Sequence, residues 1–328
     1  MKKDISIDIG TKNTYIYAVS QGSIVCESSA AAVDIITGKP VALGADACQL
    51  VMRTPGCNKL VYPLLDGETA DGHNIDFMAR LLGYHTARYK AGRFSRPRVA
   101  VSVPPNITEE DEAILTRAVL EAGASEAVKQ DNPELAAVTG AGRDAYTGAP
   151  TAIVDAGASK TSAAIVADGK VLYYTSVSAG GNAIDTAICD ILMSKYKLSI
   201  SDECAEELKT RCISLDAKQR GDKAVAVNGI AIRSGLPVTA EVRVSELSAA
   251  ALVPAMAISE MVRGVIDNLE PDYNSSGEAL ILTGGTAMLS GLAEFITAET
   301  GMSAAVADNP VACAALGLGM GLDRMEMH

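Results

Sequence analysis

Two short stretches of this chain place the same residues at the same offsets. The first is Ile5-Ser-Ile-Asp8-Ile-Gly10-Thr11-Lys-Asn13-Thr14, continuing into Tyr15-Ile-Tyr-Ala-Val19. The second is Ile153-Val-Asp155-Ala-Gly157-Ala158-Ser159-Lys160-Thr161, continuing into Ser162-Ala-Ala-Ile-Val166. Each reads as an apolar strand ending in Asp, then x-Gly, a small polar turn closing on Thr, and a second apolar strand. The chemistry open to such a turn is anion binding, because its amides and its Thr or Ser hydroxyls donate to phosphate oxygens. The carboxylates of Asp8 and Asp155 repel phosphate at close range, so their natural task is to hold Mg²⁺ through its water shell. One copy alone is an ordinary turn, since Asp and Gly are default turn residues. Two matching copies favour a bound nucleotide.

The elements that must position these turns follow from the local patterns. Both stretches are expected to be β-hairpins, with Gly10 and Gly157 supplying backbone freedom to the turns. Val99–Val103 reads as a buried strand stopped by Pro104-Pro105. Thr108 then caps a helix whose first turn is acidic (Glu109, Glu110, Asp111), where the helix dipole favours negative charge. Ile114, Leu115, Ala118 and Ala122 give that helix an apolar face, and Gly123 a stop. Downstream, the apolar strand Ala279–Thr283 ends in Gly284-Gly285-Thr286 before a helix over Leu289–Thr300. A glycine pair there lets a ligand approach the backbone closely.

Composition bounds the remaining function classes. The chain has 328 residues with 28 Lys+Arg against 40 Asp+Glu, a formal charge of −12. That length is enough for two domains, and the acidic balance argues against nucleic acid as a partner. Seven Cys without a C-x-x-C pair, and three His without metal spacing, argue against a disulfide framework or a zinc site. Reduced thiols in a cytoplasm are the plain reading. The longest apolar run, Ala249–Ile258, is interrupted by Pro254, so no membrane span is expected. The N-terminus enters a strand pattern at once, with no apolar leader.

Taken together, the segments resemble the actin superfamily, and within it the bacterial MreB group. Asp8–Thr14 is similar to the first phosphate loop (DLGTxNT), Asp155–Thr161 to the second (DIGGGTT), and Leu282–Gly291 to the adenosine motif (LTGGGALLxG). The likeness continues through Arg53–Gly56, Pro63–Gly67, Arg96–Pro104, Ala179-Gly-Gly-Asn-Ala-Ile-Asp185, Glu299–Gly301 and Asp308–Gly317. The resemblance implies an α/β, actin-like fold: two facing domains with a nucleotide cleft, each with a small inserted subdomain. By that likeness the first domain takes residues 1–145 plus 309–328, with a small subdomain at about 32–74. The second takes 146–308, with a small subdomain at about 181–244. ATP or ADP with Mg²⁺ is the implied cofactor. Gly10, Thr11, Asn13, Thr14, Gly157, Ala158, Ser159, Thr161, Gly284, Gly285 and Thr286 are the implied nucleotide contacts, and Asp8 and Asp155 the metal side. Glu206 and Lys209 match the family's ribose and adenine contacts, and their i, i+3 spacing puts both on one helix face. The bland alternative for that pair is a surface salt bridge.

The departures from the family pattern fall on chemistry. The segment expected to read E-E-P reads Asp131-Asn132-Pro133, so Asn132 stands where a water-orienting Glu is expected. An amide holds a water but cannot take its proton. The first Thr of GGGTT is Lys160, and the preceding glycines are Ala158 and Ser159, whose Cβ atoms are expected to restrict positive φ and crowd the γ-phosphate. The implied function is a filament-forming, cell-shape cytoskeletal protein with weakened hydrolysis, in which Asp131 is the residue able to rescue the base role. The alternatives are a non-filament actin-fold ATPase of chaperone or reactivating type, or a sugar-kinase relative. Self-association and cell-wall machinery are the implied partners. An inner-membrane surface is a further one, through the loop Arg88–Arg98, whose five cations flank Tyr89 and Phe94; a solvated basic loop is the equal alternative.

Overall fold

The computed structural model describes residues 4–54, 56–62, 64, 72–89, 96–103, 107–130, 132–216, 223–269 and 279–324. By contact the chain divides into two units. One holds Met1–Ala149, Val166–Val171 and Val311–His328; the other holds Pro150–Ile165 and Leu172–Pro310.

In the first unit, β1 (Ile5–Ile9) and β2 (Asn13–Ala18) form the predicted hairpin and β3 (Ser23–Ser28) extends it. A small antiparallel sheet follows, of β4 (Ala31–Asp34), β5 (Pro40–Leu43) and β6 (Asn58–Val61), with helix α1 (Ala45–Arg53) against it. Then come α2 (Gly72–Tyr89), β7 (Arg98–Ser102), α3 (Glu109–Glu121), β8 (Glu126–Gln130) and α4 (Pro133–Gly140). The main sheet has the order β3-β2-β1-β7-β8, antiparallel through the hairpin and parallel from β1 onward. Helix α3 begins with a capping box in which Thr108 Oγ1 accepts from Asp111 N–H and Asp111 returns the bond. Gly123 follows it at φ +117. At the other end of the parallel strands, Asp4 accepts from Arg98 Nη2 at 2.7 Å and from its backbone N–H at 2.9 Å, tying β1 to β7.

The last helix of the chain, Cys313–Arg324, packs on α4, β1, β2 and β7. Its reading Ala-Ala-Leu-Gly-Leu-Gly-Met-Gly is costly in helix propensity, about 1 kcal/mol per Gly relative to Ala. The reason is close approach. A Cβ on Gly317 would land on the Ala136 carbonyl, and one on Gly319 would lie 2.5 Å from the Tyr17 ring. Ser6 Oγ donates to Ala315 O at 2.5 Å in the same packing layer. On the opposite face of the sheet, Ile5, Ile7, Met78, Leu81, Leu82, Val99 and Leu115 make the core, each large side chain contributing about 1.5–3 kcal/mol by burial.

The second unit repeats the plan. β9 (Thr151–Ala156), β10 (Thr161–Ala167) and β11 (Lys170–Val177) form the hairpin side of a sheet ordered β11-β10-β9-β15-β16. Between them lie α5 (Gly181–Ile191), β12 (Leu198–Ser199), α6 (Asp202–Cys212), β13 (Ala224–Ala231) and β14 (Pro237–Arg243), the three strands forming a second small sheet. β15 (Leu280–Thr283) and β16 (Ala304–Val306) run parallel to β9. The helix expected over 289–300 begins later, at Leu292, after a short 3₁₀ turn over Thr286–Met288.

One expectation about apolar length changes. Val244–Ile266 forms a helical run of 23 residues that is apolar enough to span a bilayer, although half of its most apolar stretch is buried inside the fold. Pro254 does not break it, because it lies in the first turn of the segment Leu252–Ile266, where a missing N–H costs least. Ile258, Met261, Val262 and Val265 face the core of this unit.

Candidate functional site

The two hairpin turns are built alike. Gly10 N–H donates to Asn13 O at 3.0 Å, and Gly157 N–H donates to Lys160 O at 2.9 Å. A Cβ on either glycine would sit 2.9 Å from that same carbonyl. Neither glycine has left-handed backbone. Glycine is therefore required here by close approach, and not by the positive φ expected from the sequence. Ala158 and Ser159 are likewise outside the left-handed region, so the strain expected from their Cβ atoms is absent.

The carbonyls of Gly157, Ala158 and Lys160 in the second turn are engaged within the fold. Gly157 O accepts from Gly181 N–H at 3.1 Å and from Thr286 Oγ1 at 2.8 Å, and Ala158 O accepts from Asn182 N–H at 2.7 Å. Asn182 Nδ2 also donates to Ser159 Oγ at 3.1 Å. The first turn of α5 is thus docked onto the loop. With these carbonyls so held, the loop leaves the N–H groups of Ala158, Ser159 and Lys160 without a partner among the described residues. A row of open backbone donors is what an anion needs.

Strand register sets the carboxylates. Asp155 pairs in register with Thr283, whose Oγ1 lies 3.3 Å from Asp155 Oδ1. Burial raises the Asp155 pKa, while Thr283 and the charge of Lys160 oppose the rise. Gly284, at φ +84, is indispensable: a Cβ there would lie 2.6 Å from Asp155 Oδ1. Gly285 faces open space and is the member of the pair available to a ligand. In the first unit, continuing the register from Ile7↔Val101 brings Asp8 level with Ser102, and Ser102 pairs with Gln130. Asp8 and Tyr15 face each other across the hairpin, with Cys26 next in the row.

Two expected ligand hydroxyls have internal partners. Thr14 and Thr161 are fully buried. Thr14 Oγ1 pairs with Ser29 Oγ at 2.9 Å, and Thr161 Oγ1 donates to Ala179 O at 2.5 Å. Strand alternation directs both hydroxyls to these partners, so they brace the turn. Thr286 serves the same bracing role through Gly157 O. Lys209 Nζ donates to Asp185 Oδ2 at 2.9 Å and to Gly181 O at 3.2 Å, a buried pair that sequence spacing did not disclose. Glu206 is half-buried on the same helix.

The whole chain, residues 2–328, matches the family model described as MreB/Mbl protein. The chain belongs to the MreB/Mbl family. It is 30% identical over 326 residues to the cell shape-determining protein Mbl of Bacillus subtilis (strain 168), covering 99% of this chain and 97% of that protein. It is 31% identical over 335 residues to the cell shape-determining protein MreB of Escherichia coli (strain K12), covering 99% and 94%. Among solved structures, MreB5 of Spiroplasma citri bound to AMPPNP superposes with a TM-score of 0.85 at 25% identity, covering 100% of this chain and 98% of that one. The fold is therefore actin-like.

Against the MreB/Mbl pattern, Asn132 is exposed and forms the N-cap of α4 ahead of Pro133, with no capping bond from its side chain. Asp131 lies outside the described residues. The basic loop Arg88–Arg98 is also largely outside them, but its ends are informative. Arg88 pairs with Glu27 and lies 5.4 Å over the Tyr84 ring. Arg98 is buried against Asp4 at 2.7 Å, and Arg96 donates to Gly123 O at 3.1 Å. Two of the five charges counted for a membrane surface thus have acidic partners within the fold, Arg98 in a buried pair and Arg88 in an exposed one. The residues that sequence reasoning missed are Gly181, Asn182, Asp185 and Thr283. The Gly-Gly-Asn run before α5 was the available signal.

Proposed function

We propose that this chain is an ATP-binding cytoskeletal protein that assembles on itself and takes part in setting cell shape, with slow hydrolysis. The observation that carries nucleotide binding is the loop 157–160, where the carbonyls of Gly157, Ala158 and Lys160 are engaged while the N–H groups of Ala158, Ser159 and Lys160 remain open among the described residues. The names of the curated relatives support the cell-shape role, and the AMPPNP-bound and ADP-bound MreB5 structures support an adenine nucleotide as ligand. Ala158, Ser159 and Lys160 bind phosphate oxygens through backbone donors, and Gly285 admits the ligand. No group of three or more His, Cys, Asp or Glu able to hold a metal occurs among the described residues. Asp8 in the first unit and Asp155 in the second are each the carboxylate proposed to hold Mg²⁺ through its water shell. Bound there, it neutralises charge on the phosphates.

Slow hydrolysis follows from Asn132, which holds a water without accepting its proton. Loss of a general base is worth about 10²–10⁴-fold. Pelleting and electron microscopy with ATP, ADP and a non-hydrolysable analogue should show assembly, and phosphate release should fall about 10²-fold or more below an active MreB. Release at the rate of an active MreB, abolished by Asp131→Asn, would overturn slow hydrolysis. Absence of any polymer with ATP would overturn the cytoskeletal reading.

Membrane attachment through the basic loop belongs to this proposal in weakened form. Each cation near an anionic surface contributes about 1 kcal/mol. With Arg88 and Arg98 paired, attachment rests on Lys90, Arg93 and Arg96 with Phe94. Co-sedimentation with anionic liposomes should be modest for the wild type and lower for Phe94→Ala. Equal pelleting of the two proteins sinks this contact.

A further inference from the structure

We propose that Lys160 brings to the phosphate loop part of the positive charge that a divalent cation otherwise supplies, so that nucleotide binding by this chain depends only weakly on Mg²⁺. The inference rests on the nucleotide reading above and concerns the same loop.

Lys160 closes the second turn, its carbonyl accepting from Gly157 N–H at 2.9 Å. Its position is therefore fixed at the row of open donors. Its ammonium has no hydrogen-bond or ion-pair partner among the described residues, and the residue is half-buried. A partly desolvated cation whose ammonium makes no direct ion pair, only the longer-range attraction of Asp155, is stabilised further by an anion that meets it. The contrast with Lys209 is direct: that ammonium also touches this assembly, through Gly181 O, but Asp185 neutralises it. The matching turn of the first unit carries neutral Asn13 where the second carries Lys160, so the charge is not demanded by the turn itself.

The donor set at Asp155 points the same way. Its carboxylate accepts from Thr283 Oγ1 at 3.3 Å and lies within the electrostatic reach of Lys160. A carboxylate that already has a resident cation beside it attracts a hydrated divalent ion less strongly. Lys160 thus favours the phosphates and disfavours the metal at one locus.

The test is the affinity of the purified full chain for a fluorescent ATP analogue, in Mg²⁺ and in excess EDTA, for wild type, Lys160→Met, Lys160→Arg and Lys160→Thr. Thermal unfolding of each variant without nucleotide checks the fold. Wild type and Lys160→Arg should lose no more than about threefold in EDTA. Lys160→Met and Lys160→Thr should lose about tenfold or more and recover with Mg²⁺, the scale of one charge at short range in a partly solvated site. A wild type whose loss in EDTA matches that of Lys160→Met overturns this inference while leaving nucleotide binding intact. No affinity in either condition overturns both. Should Lys160→Met unfold, the contrast between Lys160→Arg and Lys160→Thr decides.

Discussion

At the scale of single residues, the site is decided by which polar groups are already engaged. Thr14, Thr161 and Thr286 have residue types suited to phosphate, yet each hydroxyl satisfies an internal acceptor or partner. What remains open is backbone. The same logic applies to His85 in α2, which is 1% exposed with its ring edge-on to Tyr84 at 5.1 Å. Burial, and secondarily the charge of Arg88, lower its pKa from 6.5 to about 4. The folded state thus disfavours the protonated ring, while the unfolded chain takes up the proton near pH 6.5. Stability should fall as pH drops from 6.5 towards 4 and this contribution should then level off, amounting to about 3 kcal/mol. Urea unfolding of wild type and His85→Phe across that window checks it: the difference between their midpoints should grow in favour of the variant as pH falls. A constant difference refutes the assignment.

Among elements, the closest packing is between α4 and the helix Cys313–Arg324, where glycines let the backbones meet. Gly317→Ala should destabilise by about 1–3 kcal/mol, because its Cβ would land on the Ala136 carbonyl. Gly321, one turn on, has open space around it. Gly321→Ala should therefore stabilise by about 0.5–1 kcal/mol. Thermal unfolding of the pair gives opposite signs if the contact is as described, and the same sign if it is not. The hairpins, the capped helix α3 and the Gly284-Gly285 turn were legible in the sequence because alternation, caps and turn residues act over a few positions. The bracing contacts were not. Gly157 meets Thr286 across 129 positions and Lys209 meets Asp185 across 24, and no local spacing encodes such pairs. The family resemblance assigned Thr161 and Lys209 to the ligand, and the structure gives their polar groups the internal partners Ala179 O and Asp185. The charge count of the loop Arg88–Arg98 could not anticipate the partners of Arg88 and Arg98 for the same reason, since Glu27 and Asp4 lie far away in sequence.

For the molecule as a whole, two units are built on one strand order, a hairpin followed by parallel strands, with an Asp at the same place in each. That repetition explains why two short matching stretches were so informative: each copy marks the central strand and hairpin of an equivalent sheet. The differences between copies then carry the individuality of this protein, as Asn13 and Lys160 do. The first unit is also assembled from both ends of the chain. Its sheet face carrying Ser6 and Tyr17 is covered by Cys313–Arg324, the last helix of all. During synthesis the strands β1, β2 and β7 leave the ribosome long before that cover is made. These strands cannot bury that face until Cys313–Arg324 has been made, so the nascent chain carries it uncovered while the whole second unit is synthesised.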